Sequence, residues 1–294
     1  MIRNKFLVYA LKKLKKLKAT KVGGYLYTRV IPQKTILVKC GKHRLYIDGK
    51  DEGLSPYLYL KGKFESPVVK VLKEFIKPGM SVVDLGAHIG YMTLIMADLV
   101  GENGKVYAFE PNPKNFELLK LNSSLNNYKN IILINKAVSN KTGQDVLKMD
   151  YLNSGAHSLN SLNVPNFKGD EVCIDTVSLD DYFNGKNIDF IKMDVQGWEG
   201  QVLRGAKSVL KRRGILILME FWPQAIQNTS INPAEVLRDL VNKYNFDIRI
   251  IDNKDKLLNT DEKMIMDYCN KNVVPSFLTG KMKGEVNLLL QKKA

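Results

Sequence analysis

Short apolar segments alternate with longer helical patterns through most of the chain. The apolar segments read SVVDLG, KVYAFE, IILINKAV, IDFIKMD, GILILMEF, FDIRIID and, last, EVNLLLQ. Helical spacing separates them at 66–76, 91–100, 113–126, 199–211 and 233–244. Each short segment is apolar nearly throughout rather than at every second position, which is typical of parallel strands buried on both faces. The pattern predicts an α/β fold, Rossmann-like, with helices on both faces of a mostly parallel sheet.

The pattern also divides the chain into three parts. Residues 1–21 predict a basic amphipathic helix, since Phe6, Ala10, Leu14 and Leu17 recur at helical spacing among lysines. Residues 22–65 predict a small β-rich extension, and 66–294 the main domain. Within that domain a polar insertion, 253–284, precedes the last strand. The section from Ser139 to Phe183 shows no clear periodicity and is predicted to be irregular.

The charge of the chain is concentrated at its beginning. The 294 residues carry a net charge of +15, yet the first acidic residue is Asp48, and thirteen of the fifteen excess positive charges precede it. The remainder is nearly neutral, which is unlike a body built to bind nucleic acid. Segment 1–21 is too charged to span a bilayer and lacks the pattern of a secretory signal. Three interpretations stay open: binding to an anionic membrane surface, contact with nucleic-acid phosphates, or packing of its leucines on the body.

Histidines and cysteines are few and scattered. The three cysteines (Cys40, Cys173, Cys269) form no CxxC pair, and the three histidines (His43, His88, His157) show no metal-binding spacing. The composition therefore predicts neither a disulfide framework nor a zinc site.

Candidate chemistry lies where the predicted strands end, because ligands of open parallel sheets bind beyond the carboxyl ends of the strands. The turn GAHIG, with Gly86 and Gly90, is neither a phosphate-binding loop nor the GxGxxG dinucleotide pattern. Glu110 ends the next strand, 20 residues beyond Gly90, where an acid can accept both hydroxyl protons of a ribose. A glycine turn followed by such an acid favours S-adenosylmethionine over NAD.

Five separated motifs resemble the FkbM family of class I methyltransferases. They are the run from Glu65 through VVDLGAHIGY to AFEPNPKNFELLKLN, then NKAVSNKTG, VSLDDYF, IDFIKMDVQGWEGQVLRGA and ILILMEFWP, in unbroken order over roughly 64–223. The resemblance implies a seven-stranded sheet, S-adenosylmethionine as cofactor, and methyl transfer to a hydroxyl, usually on a sugar or polyketide.

The resemblance also implies roles for individual residues around the cofactor. Glu110 would hold the ribose with Asn112 beside it, and Asp194 would face the reacting methyl group. The other implied contacts are Asp84 near the methionine part, Gly86, His88, Gly90 and Tyr91 in the loop around it, Ala137 and Val138 against the adenine, and Glu65 at the methionine amino group.

The chain departs from the family pattern at two positions. His88 stands where the family often has Asn, and both residues can hydrogen-bond. Gln196 replaces the first Glu of the usual Asp-x-Glu-Gly-x-Glu. Because Gln is neither a base nor a charged ligand, the loop holds only Asp194 and Glu199 as acids, and we predict no required metal.

Several candidate residues have a structural as well as a functional interpretation. Asp194 is predicted to be catalytic as an acceptor of the hydroxyl proton, against the alternative of a helix cap. Glu199 is a second catalytic candidate that is equally well explained by the helix it begins. Glu220, Trp222 and His157 are predicted to contact the acceptor, although an aromatic residue beside a sheet is often core and His157 could lie on the surface.

Together these observations predict an S-adenosylmethionine-dependent O-methyltransferase acting on a sugar, glycan or glycolipid. We expect a cytoplasmic protein, peripheral on the inner face of a membrane if segment 1–21 binds lipid. The alternatives are an RNA methyltransferase, against which the neutral body and the lack of an NPPY-like motif weigh, and a membrane-docked S-adenosylmethionine-binding module without catalysis.

Overall fold

The computed structural model of the chain describes residues 31–252, 256–271, 274–275 and 282–293. The predicted helix 1–21 and the first part of the extension 22–65 lie outside these ranges. Across the described ranges, no helix has both the length and the apolar character needed to cross a membrane.

The described strands, in chain order, are β1 (Thr35–Cys40), β2 (His43–Asp48), β3 (Ser81–Leu85), β4 (Lys105–Phe109), β5 (Ile131–Ile134), β6 (Ala137–Val138), β7 (Gly143–Asp150), β8 (Phe167–Val177), β9 (Phe190–Met193), β10 (Leu216–Phe221), β11 (Phe246–Ile251), β12 (Leu257–Asn259), β13 (Val274–Pro275), β14 (Met282–Lys283) and β15 (Val286–Lys292). The described α-helices are α1 (Ser55–Lys61), α2 (Ser66–Phe75), α3 (Tyr91–Val100), α4 (Pro113–Leu125), α5 (Leu179–Phe183), α6 (Glu199–Arg204), α7 (Lys207–Leu210), α8 (Pro223–Asn228), α9 (Pro233–Arg238) and α10 (Glu262–Lys271).

The main sheet has eight strands in the order β12-β11-β15-β10-β9-β3-β4-β5. Strands β10, β9, β3, β4 and β5 run parallel, whereas β15 is antiparallel to both of its neighbours. The predicted α/β class with a mostly parallel sheet is confirmed, and the strand beyond the predicted seven is the short β12. The chain leaves β3 in one direction through β4 and β5 and returns to β9 on the other side. This reversal between β3 and β9 is the switch point at which such sheets bind ligands.

A second sheet occupies the section predicted to be irregular. Strands β6, β8 and β7 form it in that order, so the prediction for 139–183 was wrong. The predicted strand IILINKAV is likewise two strands in different sheets, β5 and β6. The exposed and half-buried positions of β7 and β8 explain the error, because their side chains show little apolar periodicity.

Two predicted helices are interrupted. The helix predicted for 199–211 divides into α6 and α7 at Gly205, where an added Cβ would lie 2.2 Å from the carbonyl oxygen of Ser139. The chain must bend there to pass so close to another backbone. The helix predicted for 233–244 is α9 followed by a π-helical turn, Asp239–Lys243.

Segments outside the parallel core pack into it. Leu45 and Ile47 of the β1–β2 hairpin belong to the same buried cluster as Leu72 of α2 and Leu94 of α3. Helix α10, within the predicted insertion, contributes Ile265 to the cluster on the other face of the sheet.

Candidate active site

A cavity of about 470 Å³ opens at the carboxyl ends of the central strands. Its walls come from the loops after β3, β4 and β9, from Glu220 within β10, from the segment around α1, and from the loop between β7 and β8. Ten of the predicted site residues line it: Glu65, Gly86, His88, Tyr91, Glu110, Ala137, Val138, His157, Asp194 and Glu220. Most of the predicted site residues therefore lie around one cavity.

The turn after β3 lies directly against the loop after β9. Gly86 has a φ of 78°, and a Cβ at this position would lie 2.0 Å from the carbonyl oxygen of Asp194. Only glycine allows both the conformation and the approach. Gly90 has a φ of 92° and precedes α3, but it does not line the cavity, so its predicted cofactor contact is not supported.

Glu110 points its carboxylate at the same turn. Its Oε2 accepts a hydrogen bond from the backbone N–H of His88 at 2.8 Å, and its Oε1 accepts one from Asn112 at 2.9 Å. Burial raises the pKa of Glu110 to about 7, although these N–H donors counteract the effect. The side chain of Asn115 is a further donor to this carboxylate, and the lone-pair capacity that remains is available to donors from the cavity.

A buried lysine connects the ends of β3 and β9. Lys192 Nζ lies 3.6 Å from Asp84 Oδ1 and 3.6 Å from Asp194 Oδ2. Burial disfavours its ammonium form, but attraction by Asp194 and Asp84 holds the pKa of Lys192 above its usual value. Asp84 also accepts a hydrogen bond from Thr93 Oγ1 at 2.6 Å and is completely buried.

Asp84 lies beneath the cavity, and a residue that was not predicted, Lys192, lies between it and the cavity. Asp84 does not line the cavity, so a direct cofactor contact is not supported; it acts on the cavity through Lys192. Lys192 lines the cavity but was not predicted. The available signal was the lysine between apolar residues in FIKM, the strand part of IDFIKMD, where an unpaired charge is costly.

Gln196 joins the two acids that face the acceptor side of the cavity. Its Nε2 donates to Asp194 Oδ1 at 2.7 Å and to Glu220 Oε2 at 3.2 Å. A carboxylate at position 196 would repel those of Asp194 and Glu220, whereas the amide of Gln196 donates a hydrogen bond to each. Asp194 is thus held from two sides, by the Gln196 amide and by the Lys192 ammonium.

Glu199 bonds the backbone of the loop that carries Asp194 and Gln196 instead of facing the cavity, in contrast to its predicted catalytic role. It is completely buried and does not line the cavity. Its Oε1 accepts hydrogen bonds from the backbone N–H groups of Val195 and Gly197, both at 3.2 Å. Burial raises the pKa of Glu199 to about 7. This placement supports the alternative interpretation, a glutamate that belongs to the helix start.

A sequence model described as the methyltransferase FkbM domain matches residues 84–248, more than half of the chain. The chain belongs to the FkbM methyltransferase family. The predicted resemblance is confirmed, and with it a methyltransferase domain whose cofactor is S-adenosylmethionine.

Individual relatives of this FkbM domain are distant. Protein-L-isoaspartate O-methyltransferase from Methanococcoides burtonii is 37% identical over 59 residues, which cover 20% of this chain and 29% of the relative. The same enzyme from Methanothrix thermoacetophila is 36% identical over 59 residues, covering 20% and 28%. The chain thus matches less than a third of the length of these curated relatives.

The solved structures that resemble this chain include another FkbM protein. Methyltransferase FkbM from Methylobacillus flagellatus KT is 14% identical, with a TM-score of 0.42 over 97% of this chain and 58% of that one. An rRNA methylase from Streptococcus thermophilus is 14% identical, with a TM-score of 0.43 over 79% and 99%.

The residues of the FkbM domain fit its cofactor. Glu110 offers a buried carboxylate to the two hydroxyls of a ribose, and Phe109, Ala137, Val138 and Leu147 form an apolar wall that suits a purine base. The cavity volume lies within the range of small-molecule sites. Among the charged side chains that line the cavity, carboxylates outnumber lysines, which suits the positive charge of a sulfonium.

Three further predicted residues, Glu65, Tyr91 and Asn112, lie at the starts of helices. Glu65 precedes α2 with a φ of 42°, and the hydroxyl of Tyr91 accepts a hydrogen bond from the backbone N–H of Phe64 at 3.2 Å. Asn112 does not line the cavity; its Oδ1 caps α4 by accepting from Asn115 N at 3.0 Å. The prediction that Asn112 contacts the cofactor is therefore not supported.

The tryptophan that lines the cavity is Trp198 rather than Trp222. Trp222 is buried and does not line the cavity, so its predicted acceptor contact is not supported. Trp198 does line it, and its Nε1 donates to Ser139 Oγ at 3.0 Å. This hydrogen bond holds the indole across two segments distant in sequence.

No group of three or more His, Cys, Asp or Glu side chains that could hold a metal ion occurs among the described residues. The expectation of a metal-independent enzyme remains a prediction.

Proposed function

We propose that the whole protein is an S-adenosylmethionine-dependent O-methyltransferase whose acceptor is a hydroxyl of a sugar, glycan or glycolipid. The observation that carries the proposal is the arrangement of Asp194 and Glu220, bridged by Gln196, at the edge of the cavity that also contains Glu110. Carboxylates at this edge can accept hydrogen bonds from sugar hydroxyls.

In this proposal different residues serve cofactor binding and proton acceptance. S-adenosylmethionine, when bound, supplies an electrophilic methyl group. Glu110 binds hydroxyls at one end of the cavity, and Asp194 receives the hydrogen of the acceptor hydroxyl at the other. Lys192 and Gln196 fix the carboxylate of Asp194. Such alignment of the reacting groups contributes several kcal/mol, and a positioned proton acceptor typically adds about 10²- to 10⁴-fold in rate.

The charges of the cavity support a neutral acceptor. Six carboxylates line it and only two lysines: Glu52, Glu65, Glu110, Asp194, Glu220 and Glu285, against Lys136 and Lys192. Lys192 is engaged by Asp84 and Asp194, and Lys136 lies 3.6 Å from Asp175. A lining of this sign repels phosphates, which weighs against the alternative of an RNA methyltransferase.

Asp194→Asn tests the proposal. We expect the variant to bind S-adenosylhomocysteine within threefold of the unchanged protein by calorimetry. Methyl transfer from labelled S-adenosylmethionine to an array of glycans and glycolipids should fall about 10²- to 10⁴-fold. The exposed Asp170→Asn serves as the matched control. Unchanged turnover in Asp194→Asn would remove Asp194 from catalysis, and cofactor binding without transfer to any hydroxyl would favour the non-catalytic module.

Membrane association through segment 1–21 is a separate proposal. The sequence of this segment suits an anionic surface, and a glycolipid acceptor would be presented there. We expect the full chain to co-sediment with phosphatidylglycerol vesicles and a chain lacking residues 1–21 to stay in the supernatant. Equal pelleting of the two chains would refute the proposal and, with it, the expected peripheral location on the inner face of a membrane.

A further inference from the structure

The ring of His88 is held in one tautomer by two residues from distant segments. Its Nε2 lies 2.7 Å from Ser154 Oγ. Ser154 Oγ lies 2.9 Å from Asp51 Oδ1, which also accepts a hydrogen bond from the backbone N–H of Ser154 at 2.9 Å. Because this carboxylate oxygen is an acceptor, the Ser154 hydroxyl must donate its only hydrogen to it. The serine oxygen can therefore only accept from His88, which places the ring proton on Nε2.

The other ring nitrogen of His88 is consequently an acceptor. In a neutral imidazole one nitrogen carries the proton and the other a lone pair, so the lone pair is on Nδ1. The described residues provide no donor to Nδ1, and the ring lines the cavity. The backbone of His88 is fixed as well, since its N–H donates to Glu110 Oε2.

The ring of His157 is also held in one tautomer, but its remaining nitrogen is a donor rather than an acceptor. Its Nδ1 accepts a hydrogen bond from the backbone N–H of Asp150 at 2.9 Å. A neutral His157 therefore carries its proton on Nε2 and offers a donor. His157 also lines the cavity.

Both rings are kept neutral by their surroundings. Burial, together with the nearby charges of His88 and Lys114, lowers the pKa of His157 to about 4, although Asp150 and Asp51 act in the opposite direction. Burial likewise lowers the pKa of His88, although Asp51 and Asp194 favour its charged form and Lys192 disfavours it. The cavity thus contains one neutral histidine that accepts and one that donates.

We propose that His88 and His157 form a subsite for a hydroxyl-bearing group, in which His88 Nδ1 accepts a hydrogen bond and His157 Nε2–H donates one. A hydroxyl is both donor and acceptor, so one hydroxyl, or two on adjacent carbons, satisfies the pair. Ser154 and Asp51 are positioning residues that act through His88. The shared chemistry has two sources, the ribose of the cofactor and the sugar of the acceptor. A ribose can occupy the subsite only through a hydroxyl whose hydrogen is not donated to Glu110, because each hydroxyl has one hydrogen. The second source rests on the proposed function.

The frame of this subsite is rigid. Asp51 is buried, and its Oδ2 accepts from the backbone N–H of Ser55 at 2.8 Å. The backbone carbonyl of Ser154 accepts from Asn115 Nδ2 at 2.9 Å. The pair is therefore anchored by the segment before α1, by helix α4 and by the loop after β7.

Nitrogen NMR of the free protein, labelled with ¹⁵N-histidine, tests the tautomers. Only three histidines contribute, and replacing His43 by Gln assigns the third. We expect His88 and His157 to be neutral near pH 7 with their protons on Nε2. In Ser154→Ala the two nitrogen resonances of His88 should move towards each other as tautomers mix, while Ser154→Thr should keep the original pattern. Tyr151→Phe, exposed in the same loop, is the control.

Two results would overturn the proposal at this stage. One is a proton on Nδ1 of His88 in the unchanged protein, and the other is a His88 spectrum that Ser154→Ala leaves unchanged. Neither measurement requires turnover, so their failure is distinguishable from failure of the proposed function.

Titration then identifies the source of the hydroxyl. If S-adenosylhomocysteine alone shifts His88 Nδ1 and His157 Nε2, the ribose occupies the subsite, and His88→Ala should weaken its binding about threefold to tenfold. If only methyl glycosides added afterwards shift them, the acceptor occupies it. Unshifted histidines under saturating amounts of both probes would overturn the subsite. If S-adenosylhomocysteine fails to bind, the proposed function fails and the glycosides alone decide the subsite.

Discussion

Two loops at the same edge of the sheet each hold a buried glutamate, and the two glutamates do different work. Glu110 and Glu199 both accept two backbone N–H groups, and burial raises the pKa of each to about 7. Glu110 lines the cavity, whereas Glu199 is enclosed by its own loop. A buried acid with a raised pKa therefore marks a binding group only where a cavity faces it. At Glu199 the raised pKa reflects the burial of a carboxyl group that holds the Asp194 loop by accepting hydrogen bonds from its backbone.

Replacing Gly86 by Ala is expected to break the contact between the two loops and to have the largest effect. The new methyl group would meet the carbonyl oxygen of Asp194 at 2.0 Å, in addition to the cost of a positive φ. We expect a loss of about 4 kcal/mol in the free energy of unfolding, measured by urea denaturation. Gly79→Ala is the matched control, since Gly79 has a φ of 85° but nothing within 4 Å. It should cost only about 1 kcal/mol, and equal losses would contradict the predicted clash.

Glu199→Gln sharpens the comparison through the pH dependence of stability. Because the folded pKa of Glu199 is raised to about 7, its protonated form stabilises the fold below pH 4.5, and this contribution is lost as the pH rises from about 4.5 to 7. The loss amounts to at most about 3 kcal/mol. In Glu199→Gln this part of the fall should disappear, while affinity for S-adenosylhomocysteine stays the same. Urea denaturation at pH 5 and pH 8 measures it, with exposed Glu102→Gln as control. A fall of the same size in both proteins would refute the raised pKa.

Glu110→Ala addresses the other half of the comparison. Loss of two charge-assisted hydrogen bonds to the ribose should weaken binding of S-adenosylhomocysteine at least about a hundredfold by calorimetry. Glu117→Ala, an exposed glutamate on α4, should bind like the unchanged protein. Retained affinity in Glu110→Ala would show that the cavity holds the cofactor in some other way.

The pH dependence of binding is the smallest expected effect. A ligand whose hydroxyls donate to Glu110 binds its ionised form, so affinity should rise with pH through about 7, where the pKa of Glu110 lies in the free protein. Between pH 6 and 8 we expect an increase of up to about tenfold. Calorimetry in buffers of different ionisation enthalpy should show proton release on binding near pH 7. Proton uptake, or binding independent of pH, would contradict the assignment.

The strand-end residues were predictable from the sequence because the apolar segments that precede them are buried on both faces. That regularity predicts that Glu110, Asp194 and Glu220 lie at one edge of the sheet, and all three line the same cavity. The three-stranded sheet of β6, β7 and β8 escaped prediction because its half-exposed strands have no strong apolar period.

Partners distant in sequence could not be predicted. Asp51 reaches His88 only through Ser154, and no local pattern connects these three positions. Trp198 and Trp222 each follow a strand of the sheet, and the pattern does not specify that only Trp198 faces the cavity. Gln196 was recognised as a departure, but its function as a bridge between two carboxylates required their distances.

The antiparallel strand β15 has a consequence for synthesis of the protein. It lies between β10 and β11 and pairs with both, although it follows them in the chain. During translation the edges of β10 and β11 therefore exist before the strand that will join them. At about 5–20 residues per second, these apolar edges stay open for seconds on the ribosome. The two halves of the sheet are joined only after residue 292 has emerged.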